Sequence, residues 1–200
     1  MKIEEVMQKD VITISSNKSV TEAAKAMKQH DVRHLPVVDE DGLEGVLSNR
    51  DVRGVDSGTV ADYMTRHVHT CLPGDFVEDA AHQMLENKIH CLPVIDPNEK
   101  VIGILTDTDL LRTLVRLTGS DRPSSRVEVE VDDKSGKLAD VTAVAKEHAQ
   151  NIRSIFVIPA EDGRMRIVMR LQTMNPGRFA QALKENGCEL IWPEEPEMTL

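Results

Sequence analysis

Apolar residues recur at helical spacing twice in the first half of the chain. Val20, Ala23, Ala24 and Met27 fall at i, i+3, i+4 and i+7, and Val77, Ala80, Ala81 and Met84 repeat the stripe, so each set predicts a helix with one apolar face. Short β-branched runs follow, LPVVD ending at Asp39 and LPVID ending at Asp96; after a turn, GVLS and GILT predict a second strand in each copy. Ser48 and Thr106 stand where an N-cap belongs, and the pattern becomes helical again after both. Each copy thus reads strand, helix, hairpin, helix. Val20 matches Val77 and Pro36 matches Pro93 at an offset of 57; Gly45 matches Gly103 and Asp51 matches Asp109 at 58, because the second turn is one residue longer. Two such units, each with an unburied apolar face, are expected to pack into one pseudo-two-fold domain, with Gly54 to Thr59 as the hinge.

A different pattern begins after the polar stretch LTGSDRPSS. Val127, Val129 and Val131 alternate with Glu128, Glu130 and Asp132 as a half-exposed strand, and Leu138, Val141, Val144 and Ala145 trace a helical stripe. SIFVIP and GRMRIVMRLQ are two more strands, Pro176 to Asn186 a helix stopped by Gly187, and ELIW a last strand. The order βαββαβ is the ferredoxin-like arrangement, in which the first and third strands are neighbours. The acidic row Glu128, Glu130, Asp132 is therefore expected to face Arg164, Arg166 and Arg170. The fold class is α+β, divided as repeats 1–58 and 59–118, a linker 119–125, a second domain 126–193 and an acidic tail 194–200.

Composition narrows the function. The chain has 200 residues, 40% hydrophobic and 29% charged, an ordinary globular balance. Its net charge is -10: residues 1–118 carry 13 Lys and Arg against 20 Asp and Glu (-7), and residues 119–200 carry 11 against 14 (-3). With 2% aromatic residues as well, nucleic-acid binding is not expected. No apolar run is long enough for a membrane span, the start lacks a signal-peptide pattern, and three cysteines do not make a disulfide framework; a cytoplasmic protein is expected. No nucleophile with an obvious base, phosphate-binding Walker loop or metal motif is present, so the chain reads as a non-enzyme without a metal or catalytic cofactor. His67, His69 and Cys71 alternate as zinc ligands can, but His69 and Cys71 align with Ile12 and Ile14, which favours a structural role.

The chemistry lies in GVLSNRD (Gly45 to Asp51) and GILTDTD (Gly103 to Asp109). Glycine admits a ligand close to the strand, a hydroxyl at a helix start sits beside free N–H groups that favour phosphate, and an Asp three residues on can accept both hydroxyls of a ribose. The LPVV and LPVI runs offer an apolar wall to a purine. The same residues also serve as a helix cap and a dipole partner, and one copy alone does not separate the two uses.

With the lead-ins EEVMQKDVITI and ADYMTRHVHTC, the paired Ala-Ala helices and both motifs, residues 1 to about 116 resemble the CBS domain pair, or Bateman module. That resemblance implies a regulatory ligand, an adenosine nucleotide (AMP, ADP or ATP) or S-adenosylmethionine, between the repeats. It implies phosphate at Ser48 and Thr106, ribose at Asp51 and Asp109, and a base bordered by Thr13, Leu35, Thr70 and Leu92. His34, Pro36, Gly45, Arg50, Cys91, Pro93 and Gly103 complete the candidate ligand-binding set, and His34 and His90 are either hydrogen-bond partners or wall. Arg50 and Arg53 follow Ser48, whereas Asp107 and Thr108 follow Thr106 with Arg112 beyond, so the first motif is expected to tolerate more phosphate charge. A solvated helix face is the plainer reading of those arginines.

DDKSGKLADV with NIRSIFVI resembles an ACT domain, which implies an effector site at Gly136, Lys137 and Leu138, although Ser135 stands where Pro is common. Self-association alone is the other use of such a domain. The order of modules resembles the acetoin-utilisation B proteins of bacteria, which implies a role in acetoin or related carbon metabolism, and the likeness to CBS pairs and ACT domains implies a homodimer and a partner enzyme. The reading is a sensor of an adenosine-containing small molecule. The alternative is an adaptor that binds no ligand and acts on a partner enzyme through the ACT-like domain.

Overall fold

The two apolar stripes fold as helices that share the same stop signal, while only the first has a side-chain cap at its start. In the computed structural model, which describes residues 1–194, α1 spans Val20–His30 and α3 spans Val77–Asn87. Ser19 and Glu22 close a reciprocal capping box on α1: the Glu22 N–H donates to Ser19 Oγ at 3.2 Å, and the Ser19 N–H donates to Glu22 Oε2 at 3.0 Å. Both helices end in a left-handed residue at the same place in the repeat, Asp31 (φ 52°) and Lys88 (φ 54°). Val20, Ala23 and Met27 on α1, and Val77, Ala80 and Met84 on α3, are buried.

The hairpins follow in register. β1 (His34–Val38) pairs with β2 (Leu43–Ser48), and β3 (Cys91–Ile95) with β4 (Val101–Thr106), each antiparallel with a bulge at equivalent positions, Val37/Val38 and Val94/Ile95. The register sets His34 opposite Ser48 and Cys91 opposite Thr106. After Thr106 the helix α4 (Asp107–Thr118) forms as anticipated. After Ser48 it does not. Residues 49–54 make successive turns, Asp51 N to Ser48 O at 3.1 Å and Arg53 N to Arg50 O at 3.3 Å, and Gly54 at φ 76° ends them before a second turn can form. The leading strands of the repeats are also reduced to isolated bridges, Ile14 with Val37 and Cys71 with Val94.

Each repeat's core is completed by the other repeat's lead-in. Ile3, in a 3-10 turn Ile3–Glu5, is buried with Cys71, Val77, Leu92 and Leu105, whereas Val60 in the short helix α2 (Val60–Tyr63) and Met64 are buried with Val20, Leu35 and Leu47. The exchange is symmetric down to its hydrogen bonds. Gln8 and Ile104 exchange backbone N–H···O bonds at 2.9 and 3.0 Å, and Thr65 and Val46 do so at 2.9 and 3.0 Å.

The chain divides at Thr113/Leu114 into two compact units. The second contains β5 (Ser125–Asp132), α5 (Lys137–Glu147), β6 (Ile152–Pro159), β7 (Arg164–Leu171), α6 (Gly177–Glu185) and β8 (Glu189–Trp192). Its sheet order β6-β7-β5-β8, with all neighbours antiparallel, is ferredoxin-like. Val127, Val129, Val131, Ile167, Met169 and Leu171 meet Val141, Val144, Phe179 and Leu183 in the core, while Leu138 is exposed. The charged row pairs across β5 and β7 only in part: Glu128 is 8% exposed rather than solvated, and is paired with Arg126 and Arg166. Glu130 binds Arg164 at 3.3 Å and Arg166 at 3.4 Å, but Asp132 turns to Lys134 and Arg170 donates to Ser124. The tail residues 195–200 lie outside the described residues.

Candidate ligand-binding site

Both GhhS/T-x-x-D motifs fold into the same clasp. Asp51 Oδ2 accepts from the Ser48 N–H and Ser48 Oγ, each at 2.7 Å, and Asp109 Oδ2 accepts from the Thr106 N–H at 3.0 Å and Thr106 Oγ1 at 2.6 Å. One carboxylate oxygen is thus committed in each copy to fixing the turn after the strand, which leaves the other, Oδ1, for outside chemistry.

Two cavities open beside these clasps. The larger, about 590 Å³, is lined by Ser48, Asn49 and Arg50 from one motif and by Thr106, Asp107 and Thr108 from the other, with Gln8, Arg33, His34, His90 and Arg112 around them. The smaller, about 220 Å³, is lined by Ser48 and Asp51 together with Thr65, His67, Val68 and His69 from the second lead-in, and by Lys88, Ile89, His90 and Cys91. His34, Ser48, Arg50 and His90 line both, so the two spaces adjoin across these side chains. Each pairs one repeat's motif with the other's lead-in, a consequence of the exchanged cores.

Of the residues singled out in the sequence, His34, Ser48, Arg50, Asp51, Cys91 and Thr106 reach a cavity. Leu35 and Leu92 do not: both are fully buried in the repeat cores, and the neighbours preceding them, His34 and Cys91, face the cavities because strand side chains alternate. Pro36 and Pro93 are buried, and Thr13 and Thr70 line neither space; Val11, Ile12, Val68 and His69 take their places. Gly45 and Gly103 are each packed against the opposite repeat's lead-in. A Cβ on Gly45 would lie 2.8 Å from Thr65 O, and one on Gly103 would meet Met7 and Gln8 O, because the exchanged lead-ins pass against these strands. Asp109 also lines neither cavity. It is 4% exposed, and its Oδ1 accepts from Gln8 Nε2 at 2.8 Å and Arg112 Nη1 at 3.3 Å. Sequence reasoning missed Gln8, Thr65 and Lys88, none of which belongs to the motif; a comparison of the two lead-ins, MQ at 7–8 against MT at 64–65, held the signal.

Electrostatically the site is mixed. Arg33, Arg50 and Arg112 oppose Asp10, Asp31 and Asp107 in the larger cavity, whereas Arg50 and Lys88 face Asp51 as the one carboxylate of the smaller. Burial, then the neighbouring His90, lowers the His34 pKa from its usual 6.5. His90 Nδ1 lies 3.2 Å from Asp107 Oδ2. Burial pushes the Cys91 and Cys71 thiols up to about 12. His69 is exposed and lies beside Gln83 rather than in the core, and no group of three or more His, Cys, Asp or Glu among the described residues is arranged to hold a metal.

The family model for the CBS domain matches residues 3–58 and 60–116. The chain belongs to the CBS domain family. It is 39% identical over 115 residues to inosine-5'-monophosphate dehydrogenase of Methanocaldococcus jannaschii, which covers 56% of this chain but only 23% of that enzyme. The chain thus spans about a quarter of the curated enzymes it matches. Among solved structures, the CBS pair superposes on that of protein MJ0100 in complex with 5'-methylthioadenosine and S-adenosyl-L-methionine (31% identity, TM-score 0.55, 61% of this chain and 98% of that one). CBSX2 in complex with AMP is similar at 28% identity and TM-score 0.54, over 60% of this chain and 98% of that one. An acetoin utilization protein (AcuB) of Vibrio cholerae is similar at 26% and 0.55, over 60% and 96%. No helix among the described residues is long and apolar enough to cross a membrane.

Proposed function

We propose that the chain is a non-catalytic sensor whose CBS pair binds an adenosine nucleotide, or S-adenosylmethionine, between its repeats. The observation that carries this is Asp51: clasped through Oδ2 to Ser48, it lines a cavity with Oδ1 unpartnered among the described residues, as a ribose diol requires. The apolar Val68 and Ile89 offer a wall for the base, and Ser48 with Arg50 and Lys88 offers hydroxyl and positive charge for phosphate. Those two cations support the sequence expectation that the first motif takes more phosphate charge than the second. Related CBS pairs hold S-adenosyl-L-methionine, 5'-methylthioadenosine and AMP.

In this reading ligand occupancy shifts the pair between two states by its differential affinity, and the ferredoxin-like unit, resembling an ACT domain, transmits the shift within a homodimer or to a partner enzyme. Gly136 supports no effector role on its own: it precedes α5 with φ 92° and open space around it, which a backbone requirement explains. Likeness to the AcuB structure supports a link to acetoin or related carbon metabolism.

Calorimetric titration with AMP, ADP, ATP and S-adenosylmethionine, repeated on Asp51→Ala, tests the assignment. Binding that Asp51→Ala abolishes or weakens at least tenfold is expected. Heat and thermal stabilisation absent with all four ligands would replace the sensor with the ligand-free adaptor.

A further inference from the structure

The two repeats match closely enough that their differences can be read position by position. Gln8 and Thr65 occupy equivalent places, each exchanging backbone hydrogen bonds with the opposite repeat's strand. Arg112 and Gly54 are equivalent at the offset of 58. At the second motif both long side chains are present and both donate to Asp109 Oδ1, at 2.8 and 3.3 Å. At the first motif the same places hold a short side chain and none, and Asp51 Oδ1 has no partner among the described residues. The two lone pairs that a ribose diol would use are free at Asp51 and taken at Asp109.

We infer that Gln8 and Arg112 form a latch over the second seat, so that an adenosine ribose enters at Asp51 first and at Asp109 only after both donors let go. The inference rests on the nucleotide reading above and adds an order of filling and the residues that set it. Gln8 is the stronger arm, at 2.8 Å on a carboxylate that is 4% exposed; Arg112 is 68% exposed, so water screens and competes for its contact. Both also line the larger cavity, where the incoming ligand would displace them.

AMP is the probe, and isothermal titration of the full chain is the measurement, in the Asp51→Ala background where only the second seat remains. Gln8→Thr copies the residue already tolerated at position 65, keeps the backbone bridge to Ile104, and is expected to tighten AMP at that seat about tenfold, equivalent to about 1.4 kcal/mol. Arg112→Ala is expected to tighten it less. In the unmodified chain AMP should titrate as one strong and one weak site. Equal affinities at the two seats, or a second seat that Gln8→Thr leaves unchanged at an unaltered melting temperature, would overturn the latch while keeping the nucleotide reading. No binding to the unmodified chain or to any variant, with AMP or with ADP, ATP and S-adenosylmethionine in its place, would overturn both.

Discussion

Gly45→Ala separates a glycine kept for a ligand from one kept for the chain's own packing. The added methyl would lie 2.8 Å from Thr65 O and 2.9 Å from Met64 Sδ. The sulfur can swing away, but the carbonyl belongs to a backbone held by Val46 N–H to Thr65 O at 3.0 Å and Thr65 N–H to Val46 O at 2.9 Å. Moving it weakens two hydrogen bonds worth about 1 kcal/mol each, or else leaves overpacking of about 1–3 kcal/mol. Alanine's smaller unfolded-state entropy returns about 0.5–1 kcal/mol, for a net loss of about 1 kcal/mol. With a urea slope of about 1–3 kcal/mol per molar, the unfolding midpoint followed by far-UV circular dichroism should fall by about 0.5 M. Gly103→Ala should fall less, because the flexible Met7 side chain is its closest neighbour and Gln8 O lies 3.2 Å away. A Gly45→Ala chain with an unchanged midpoint but lost AMP binding would refute the packing argument and return the glycine to the ligand.

Other outcomes follow from the same geometry. Because burial lowers the His34 pKa, the unfolded chain binds that proton more readily, so stability should fall as pH drops below about 6.5 until the folded-state pKa is passed. Melting temperature against pH checks this, and the slope should flatten in His34→Gln; an NMR titration midpoint for His34 at or above 6.5 would contradict it. Cys71 and Cys91, buried with thiols near 12, should resist a thiol reagent at pH 8 in the native chain. Cys188, partly exposed, should give the fast phase, and Cys188→Ser should remove it. Glu130→Gln, which weakens contacts to Arg164 and Arg166, should destabilise the ferredoxin-like unit by about 1 kcal/mol, read by Trp192 fluorescence, with AMP affinity unmoved.

The internal repeat, both apolar helix faces, the hairpins with their one-residue difference and the βαββαβ order were all legible in the sequence, because periodicity and turn chemistry are local properties. So was the motif, since Ser48 with Asp51 and Thr106 with Asp109 make contacts only three residues apart. What the chain alone did not decide is where each motif's surroundings come from. Local pattern assigns Met1 to Gln8 to the first repeat, yet Ile3 is buried in the second repeat's core, and Val60 and Met64 in the first. That exchange brings Gln8 to Asp109 across 101 residues, turns Gly45 and Gly103 into packing positions, and draws His67 and His69 to Asp51. Burial likewise withdrew Leu35 and Leu92 from the ligand wall, because a strand offers only one of two faces and the repeat core claimed theirs. Equivalent motifs in sequence thus became unequal seats in the fold: each clasp is local, but the groups competing for its second oxygen arrive from the opposite repeat.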